Sequence, residues 1–482
     1  MSVIDPAAGR RRGGPLLALL AFAQFISAID YNIVYVALPG IGRDLGFSDQ
    51  SLQWVVSAYA VAFGGLLLLG GRAADRLGQR RMFALALGLY GVSSLAGGFA
   101  ATPGTLVAAR AVQGLGGALL LPATLSLINT GFPEGPARTR ALAVWGGAGG
   151  VGLALGSLLG GVLTSAFGWP SVFLANVPLA LAGAAAAFAL LPADGRPAGG
   201  RGFDLPGTAT ATLGATLLVY ALVRAPESGW TSAPILGSLA AAAALLALFL
   251  GIERRADDPL MPPALFANRS LTTAMAVTFV FMGTFGAQYY TLTVYLQDLR
   301  GYGALATGLA FLPGSLIGLV GTKLSERLLG AAGLRATLLT GLLSGAAGMA
   351  GIALGMSGNG SYAALLPGIA LLALGQGVAW TAMFVAASSG VAPERQGIAS
   401  AMASTTQQIG GAVGLAALVA VINTGPHGAP SLSGLRAAGW VAAAATLAGA
   451  AFVLNLRRDR PRPAAPGGDA PAEAAAVRDG SR

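Results

Sequence analysis

Cysteine is absent from the 482 residues, which excludes a disulfide framework and thiol chemistry. One histidine, His427, and one lysine, Lys323, leave no clustered metal site and no G-x-x-x-x-G-K-[ST] phosphate loop. ATP-driven work by this chain is therefore unsupported, and no cofactor is expected. Charge is scarce too: Asp, Glu, Lys and Arg make up 10% of the chain, against about 25% in ordinary soluble proteins. Gly147, Gly149 and Gly152 do spell G-x-G-x-x-G, but inside an apolar run with no strand before it, where the glycines serve close helix packing.

What fills the chain is apolar surface, 55% hydrophobic residues, and 73 glycines that lie mostly within apolar segments. Small residues let helix backbones approach closely in a bilayer, and about 20 apolar residues cross its hydrocarbon core. By that measure the sequence predicts fourteen spans, near 16–39, 52–70, 82–101, 105–129, 141–165, 170–191, 207–224, 233–252, 271–297, 304–324, 336–356, 362–386, 402–423 and 436–456. The first is too long, and too polar near its end, for a cleaved signal peptide, so it is read as a retained helix. This is an all-α membrane protein.

Loop charge sets the orientation. Of 29 Lys and Arg residues, 24 fall in the termini and the loops on the side of the N-terminus, and four fall in the opposite loops. The bias predicts both termini in the cytoplasm of a multi-pass plasma-membrane protein. It also accounts for a pI near 10.5 without a nucleic-acid partner. The remaining basic residue, Arg110, stands inside a span.

Two stretches echo one another. "QGLGGALLLPATLSLINTGFPEG" begins at Gln113 and "QGVAWTAMFVAASSGVAPERQG" at Gln376; in each a Gln-Gly opens a helix and a Pro-Glu marks the loop after it. "GGRAADRLGQRR" at 70–81 is echoed by "GTKLSERLLGAAGLR" at 321–335, with a slipped register. Such offsets fit six helices on each side of two inserted ones, and internal symmetry of this kind marks secondary transporters. The expected organisation is a terminus over 1–15, a six-helix bundle over 16–191 and a linker with two inserted helices over 192–270. A second bundle follows over 271–456, and a disordered tail over 457–482.

"GGRAADRLGQRR" resembles the loop signature of the major facilitator superfamily, matched by Gly71, Asp75, Arg76, Gly78 and Arg80. "RAVQGLGGA" at 110–118 resembles its fourth-helix motif through Arg110, Gln113, Gly114 and Gly116. "IDYNIVYVALP", "FGWPSVFLANVP" and "STTQQIGGAVGLA" are similar to segments of its fourteen-helix drug:proton antiporters. The resemblance implies a major facilitator fold of two six-helix bundles related by pseudo-two-fold symmetry, plus two inserted helices. It implies a conformational role for Gly71, Asp75, Arg76, Gly78, Arg80, Gln113 and Gly114. Asn32 and Tyr35 depart from the first-helix motif. Ser157 stands where the antiporter motif usually has proline, leaving Gly152, Gly156 and Gly160 to permit close contact.

Asp30 is the only acid deep in a predicted span, as Arg110 is the only base. Ionisable residues in a bilayer are expensive and functional by default. A carboxylate held between desolvation and a nearby cation can take up a proton on one side and release it on the other, so Asp30 and Arg110 are the proton-coupling candidates. The competing reading is a carboxylate satisfied by its neighbours that never titrates. At 100° per residue Gln24, Tyr31 and Tyr35 share one helical face with Asp30 at its edge. Candidate substrate contacts are Gln24, Tyr31, Asn32, Tyr35, Gln53, Trp54, Ser57, Gln288, Tyr289, Gln376, Trp380 and Gln407. Mixed amide and aromatic linings suit bulky amphiphilic ligands.

The sequence thus predicts a monomeric exporter of a lipophilic drug or antibiotic-like compound, exchanged for protons across the lipid bilayer. The alternative is an uncoupled exporter or facilitator of an endogenous metabolite. An enzyme would need a clustered nucleophile, base or metal set in the membrane, and the sequence offers none.

Overall fold

The computed structural model describes residues 6–133, 136–194, 204–256, 259, 261–392, 395–425 and 429–456. The chain runs through α1 (Pro6–Leu45), α2 (Trp54–Leu77), α3 (Gln79–Gly98), α4 (Pro103–Gly131), α5 (Pro136–Phe167), α6 (Pro170–Leu174) and α7 (Asn176–Leu190). It continues through α8 (Leu205–Ser228), α9 (Ala233–Arg255), α10 (Arg269–Phe281), α11 (Ala287–Val294), α12 (Ala304–Gly355), α13 (Leu366–Ser388), α14 (Gln396–Ile422) and α15 (Leu432–Val453). Among the described residues 12 helical segments are long and apolar enough to cross a membrane. Glu134, Pro393, Glu394, His427, the linker 195–203 and the tail 457–482 lie outside the described residues.

Local chemistry sets several helix starts. Thr102 and Thr105 form a reciprocal capping box with Pro103 at the first turn of α4. Asp204 accepts from the Gly207 amide ahead of α8, Asn268 from Ser270 and Leu271 ahead of α10, and Ser431 from Gly434 ahead of α15. Two short π-helical stretches, Met282–Gly286 and Tyr295–Leu299, flank α11.

Two of the fourteen expected spans are not counted separately among those 12: the run at 82–101, which forms α3, is not one of them, and the runs at 304–324 and 336–356 count as one segment. The runs at 304–324 and 336–356 are separate helical stretches on either side of Gly333 within α12, and both pack on the same part of α13: Gly377 meets Gly318 and Gly321, and Gly375 meets Gly341 and Gly345. One residue interrupts α12, Gly333, at φ 79° and ψ 173°. Gly78, between α2 and α3, has φ 103°. Both glycines lie in the echoing segments, in a region of φ that an L side chain rarely adopts. The Gln-Gly pairs of the other echo do not open helices: Gln113 and Gln376 lie well inside α4 and α13.

Helices α1 to α7 pack on one another, chiefly α1 on α5, α2 on α4, and α3 on α4 and α7. Among the later helices α12 packs on α13 and α15, and α10 on α14. Along α5, Gly152, Gly156 and Gly160 meet α1 so closely that a Cβ would come 2.8, 2.6 and 2.8 Å from the carbonyls of Phe25, Ile29 and Ile33. Only glycine permits that approach. Two seams join the early and late helices: α2 with α14, and α5 with α12. Helix α8 seats on the first, with Ala215, Val219 and Val223 against Ala60 and Val61 of α2 and Ala412 and Ala416 of α14.

Candidate functional site

Asp30 is fully buried in α1, and its two oxygens are shared between two other helices, α4 and α7. Oδ2 accepts from Arg110 Nη1 at 2.8 Å; Oδ1 accepts from Gln113 Nε2 at 2.8 Å and from Asn176 Nδ2 at 2.8 Å. The cap at Thr102 starts α4 so that Arg110 stands two turns in, about 10 Å along the axis. Arg110, itself 2% exposed, also donates Nε to the Val55 carbonyl at 2.8 Å and Nη1 to Gln113 Oε1 at 2.7 Å. Its guanidinium lies 4.6 Å over the Tyr59 ring, a cation–π contact strengthened by desolvation. Gln113 completes the network by donating to Ser94 Oγ at 3.0 Å. A buried ion pair survives when hydrogen bonds satisfy its remaining lone pairs and protons, and this one has them.

The pair thus brings together Asp30, Arg110 and Gln113. Asn176 and Ser94 escaped sequence reasoning; the available signal was one amide in "FGWPSVFLANVP" and the second of two hydroxyls in "GVSSLAGG". Asp30 also does not share the face of Gln24, Tyr31 and Tyr35. It points into α4 and α7, whereas Gln24 packs on Gly149 of α5 and the two tyrosines face the late helices.

The loop motif centres on a residue the motif does not contain. Asp194, after α7, accepts from the Arg80 and Arg81 amides at 2.9 and 3.1 Å, capping the first turn of α3 where backbone donors lack partners. Arg80 turns away to the Phe188 carbonyl at 2.7 Å, and a Cβ on Gly78 would strike the Asp194 carboxylate. Gly71 faces Pro122, Arg76 lies in the last turn of α2, and Arg72 donates to the Pro259 carbonyl at 2.7 Å. The side chain of Asp75 lies outside the described residues. Gly114 has the Tyr59 carbonyl where a Cβ would stand, fixing α4 against α2.

A cleft lined by Phe285, Gln288, Tyr289, Phe311, Ser315 and Gln376 opens among the late helices. Tyr35 of α1 borders it, its ring 5.8 Å from Tyr289, which lies 5.4 Å from Phe311; Tyr31 and Tyr35 line a second cleft with Met282, to whose Sδ Tyr31 donates at 3.7 Å. Asn32 donates to the Leu153 carbonyl of α5 at 2.9 Å, and Ser57 and Gln407 are buried with Oγ and Nε2 unpaired among the described residues. Gln53, Trp54 and Trp380, like Gln24, Asn32, Ser57 and Gln407, are not among the residues that line either cleft. Gln53 sits in a 3-10 turn before α2, donating to Gln50 O at 2.8 Å. Trp54 packs on the seam that α8 covers. Trp380 is 41% exposed and stands between Phe281 and Phe384.

A multi-pass helical protein with a buried charge pair in its early helices and a polar, aromatic cleft among its late ones has the construction of a membrane transporter for small molecules. The sequence profile of the Major Facilitator Superfamily matches residues 20–415, and the chain belongs to that superfamily, whose members are transporters and not enzymes. It is 42% identical to the puromycin resistance protein pur8 of Streptomyces alboniger over 419 residues, 86% of this chain and 82% of the relative. It is 38% identical to the cephamycin export protein CmcT of Amycolatopsis lactamdurans, over 86% of each chain. The fold is similar to a crystal structure of the peptide transporter POT in complex with sulfate, with a TM-score of 0.69, 15% identity, and coverage of 94% of this chain and 98% of that one.

Proposed function

We propose that this transporter exports a lipophilic drug or antibiotic-like compound from the cytoplasm across the plasma membrane, as a monomer, in exchange for protons. The observation that carries the coupling is the sealed Asp30–Arg110 pair, 2.8 Å apart with both partners buried. Arginine keeps its charge under all working conditions, so only the carboxylate can change state. A proton on Asp30 cancels the carboxylate charge and leaves Arg110 on the Val55 carbonyl and Gln113, loosening α1 from α4. One charge crossing the membrane potential supplies about 2.3 kcal/mol per 100 mV, enough to sustain a useful concentration ratio. The names of the two relatives, a resistance and an export protein, support outward movement of antibiotics.

The reading assigns the side of the termini to the cytoplasm, from the excess of Arg and Lys there. It counts fourteen crossings in two six-helix bundles, 16–191 and 271–456, around the inserted α8 and α9. Gly333 divides α12 into 304–332 and 334–355, each long enough for a crossing at 1.5 Å per residue, and is the natural point of return. Helix α3, with 20 residues, supplies the other crossing. In this scheme Gly71, Asp75, Arg76, Gly78 and Arg80 govern the conformational switch, and Gly152, Gly156 and Gly160 hold α5 to α1 through it.

Proteoliposomes with an imposed pH gradient, loaded with a panel of lipophilic antibiotics and dyes, test the reading. Flux should follow the gradient in the wild type and become gradient-independent in Asp30→Asn. Gradient-independent flux in the wild type would instead establish an uncoupled facilitator.

A further inference from the structure

Gln288 of α11 has no use in the proton-coupling scheme, yet its environment is the least satisfied in the cleft. It is 1% exposed, and neither Nε2 nor Oε1 finds a hydrogen-bond partner among the described residues. Buried polar groups are nearly always paired, and each unpaired one calls for an explanation. Here a whole carboxamide, donor and acceptor together, faces a cleft walled by Phe285 and Phe311. Among the described residues no Asp, Glu, Lys or Arg lines the cleft. The Tyr289 ring, 5.4 Å from Phe311, adds an aromatic surface for a flat ligand to stack on.

We propose that Gln288 is the specificity-determining residue of the substrate cleft, and that it takes a neutral, flat group with a hydrogen-bond donor beside an acceptor, the edge of a lactam or other cis-amide. The inference rests on the export reading and deepens it by naming the substrate class. A carboxamide presents N–H and C=O side by side at fixed spacing, the complement of an amide edge. A ligand forming both bonds relieves two unpaired groups at once, whereas one that lacks the N–H leaves Oε1 buried and unpaired. Sites built to hydrogen-bond a ligand discriminate strongly against analogues that lack the group, far more than apolar pockets discriminate by size. The absence of a counter-ion in the lining selects against charge on this part of the ligand.

Equilibrium binding of two fluorescent probes to the purified full-length protein tests this. 1H-Quinolin-2-one carries an N–H beside its C=O; 1-methylquinolin-2-one does not. The wild type should bind the first at least about tenfold more tightly, and Gln288→Met should bring the ratio to about one. A wild-type ratio near one, binding of neither probe, or a preference that survives in Gln288→Met overturns the proposal. The wild-type comparison stands even where the variant does not fold. Gradient-driven flux in the same preparation separates the two readings. Coupled export without the lactam preference defeats this inference alone; the preference with coupling intact in Asp30→Asn defeats only the proton assignment.

Discussion

Asp30→Asn separates the two roles of the buried network. In the wild type one oxygen of Asp30 accepts from Arg110 and the other from two amide nitrogens, so all three contacts need an acceptor. Asparagine has one acceptor oxygen. Either its NH2 opposes the guanidinium, or it opposes the Gln113 and Asn176 amides. Arg110 is left charged and 2% exposed, with only the Val55 carbonyl, Gln113 and the Tyr59 face. Leaving one member of a buried pair uncompensated costs about 3–5 kcal/mol, while replacing both by apolar groups is often neutral. Asp30→Asn should therefore lower the thermal unfolding midpoint in detergent, and Asp30→Asn with Arg110→Met should recover most of it. Gradient-driven flux should be absent from both. A single variant as stable as the wild type, or a double variant no more stable than the single, refutes the reasoning.

Asn176→Leu removes one charge-assisted hydrogen bond from Asp30, worth about 1.5–3 kcal/mol; the unfolding midpoint should fall and coupled flux with it, while insertion in the membrane persists. Gly156→Ala puts a Cβ 2.6 Å from the Ile29 carbonyl and should cost about 1–3 kcal/mol by overpacking, whereas Gly147→Ala, with nothing within 4 Å, should be close to neutral in the same melt. A proline inside a helix costs about 3 kcal/mol, partly because it orphans the carbonyl four residues back. At position 157 that carbonyl belongs to Leu153, which Asn32 already reaches at 2.9 Å. Ser157→Pro should thus cost less than an ordinary interior proline, and Asn32→Val with Ser157→Pro should cost more than the two single changes summed.

The Asp30–Arg110 pair was legible because each is unique: one acid and one base deep in apolar spans have few other partners. Their supporting amides were not, since Asn176 stands alone in an apolar run and nothing in its spacing points to α1. The shared face of Gln24, Tyr31 and Tyr35 was a correct helical projection, but a helix surrounded by others presents different sides to different neighbours, and Asp30 faces α4 and α7. Gln53 was read onto α2 because a 3-10 turn continues into the helix without a sequence break. The charged segment after 321 was read as a loop because charge leaves hydrocarbon; it does so here as helix, with only Gly333 marking the turn. The departures at Asn32 and Ser157 are individually opaque in sequence, and become one feature once Asn32 is seen bonded to Leu153.

The seat of α8 makes the molecule lopsided toward its solvent lipid. Of the two seams between the early and late helices, the α2–α14 seam lies under α8, whose Ala215, Val219 and Val223 cover it. On the α5–α12 side Leu155, Leu159, Leu309 and Leu316 are exposed. A greasy molecule dissolved in one leaflet and approaching sideways therefore meets a shuttered flank on one edge and bare seam on the other. The pair α8 and α9 gives the protein a front and a back within the plane of the bilayer.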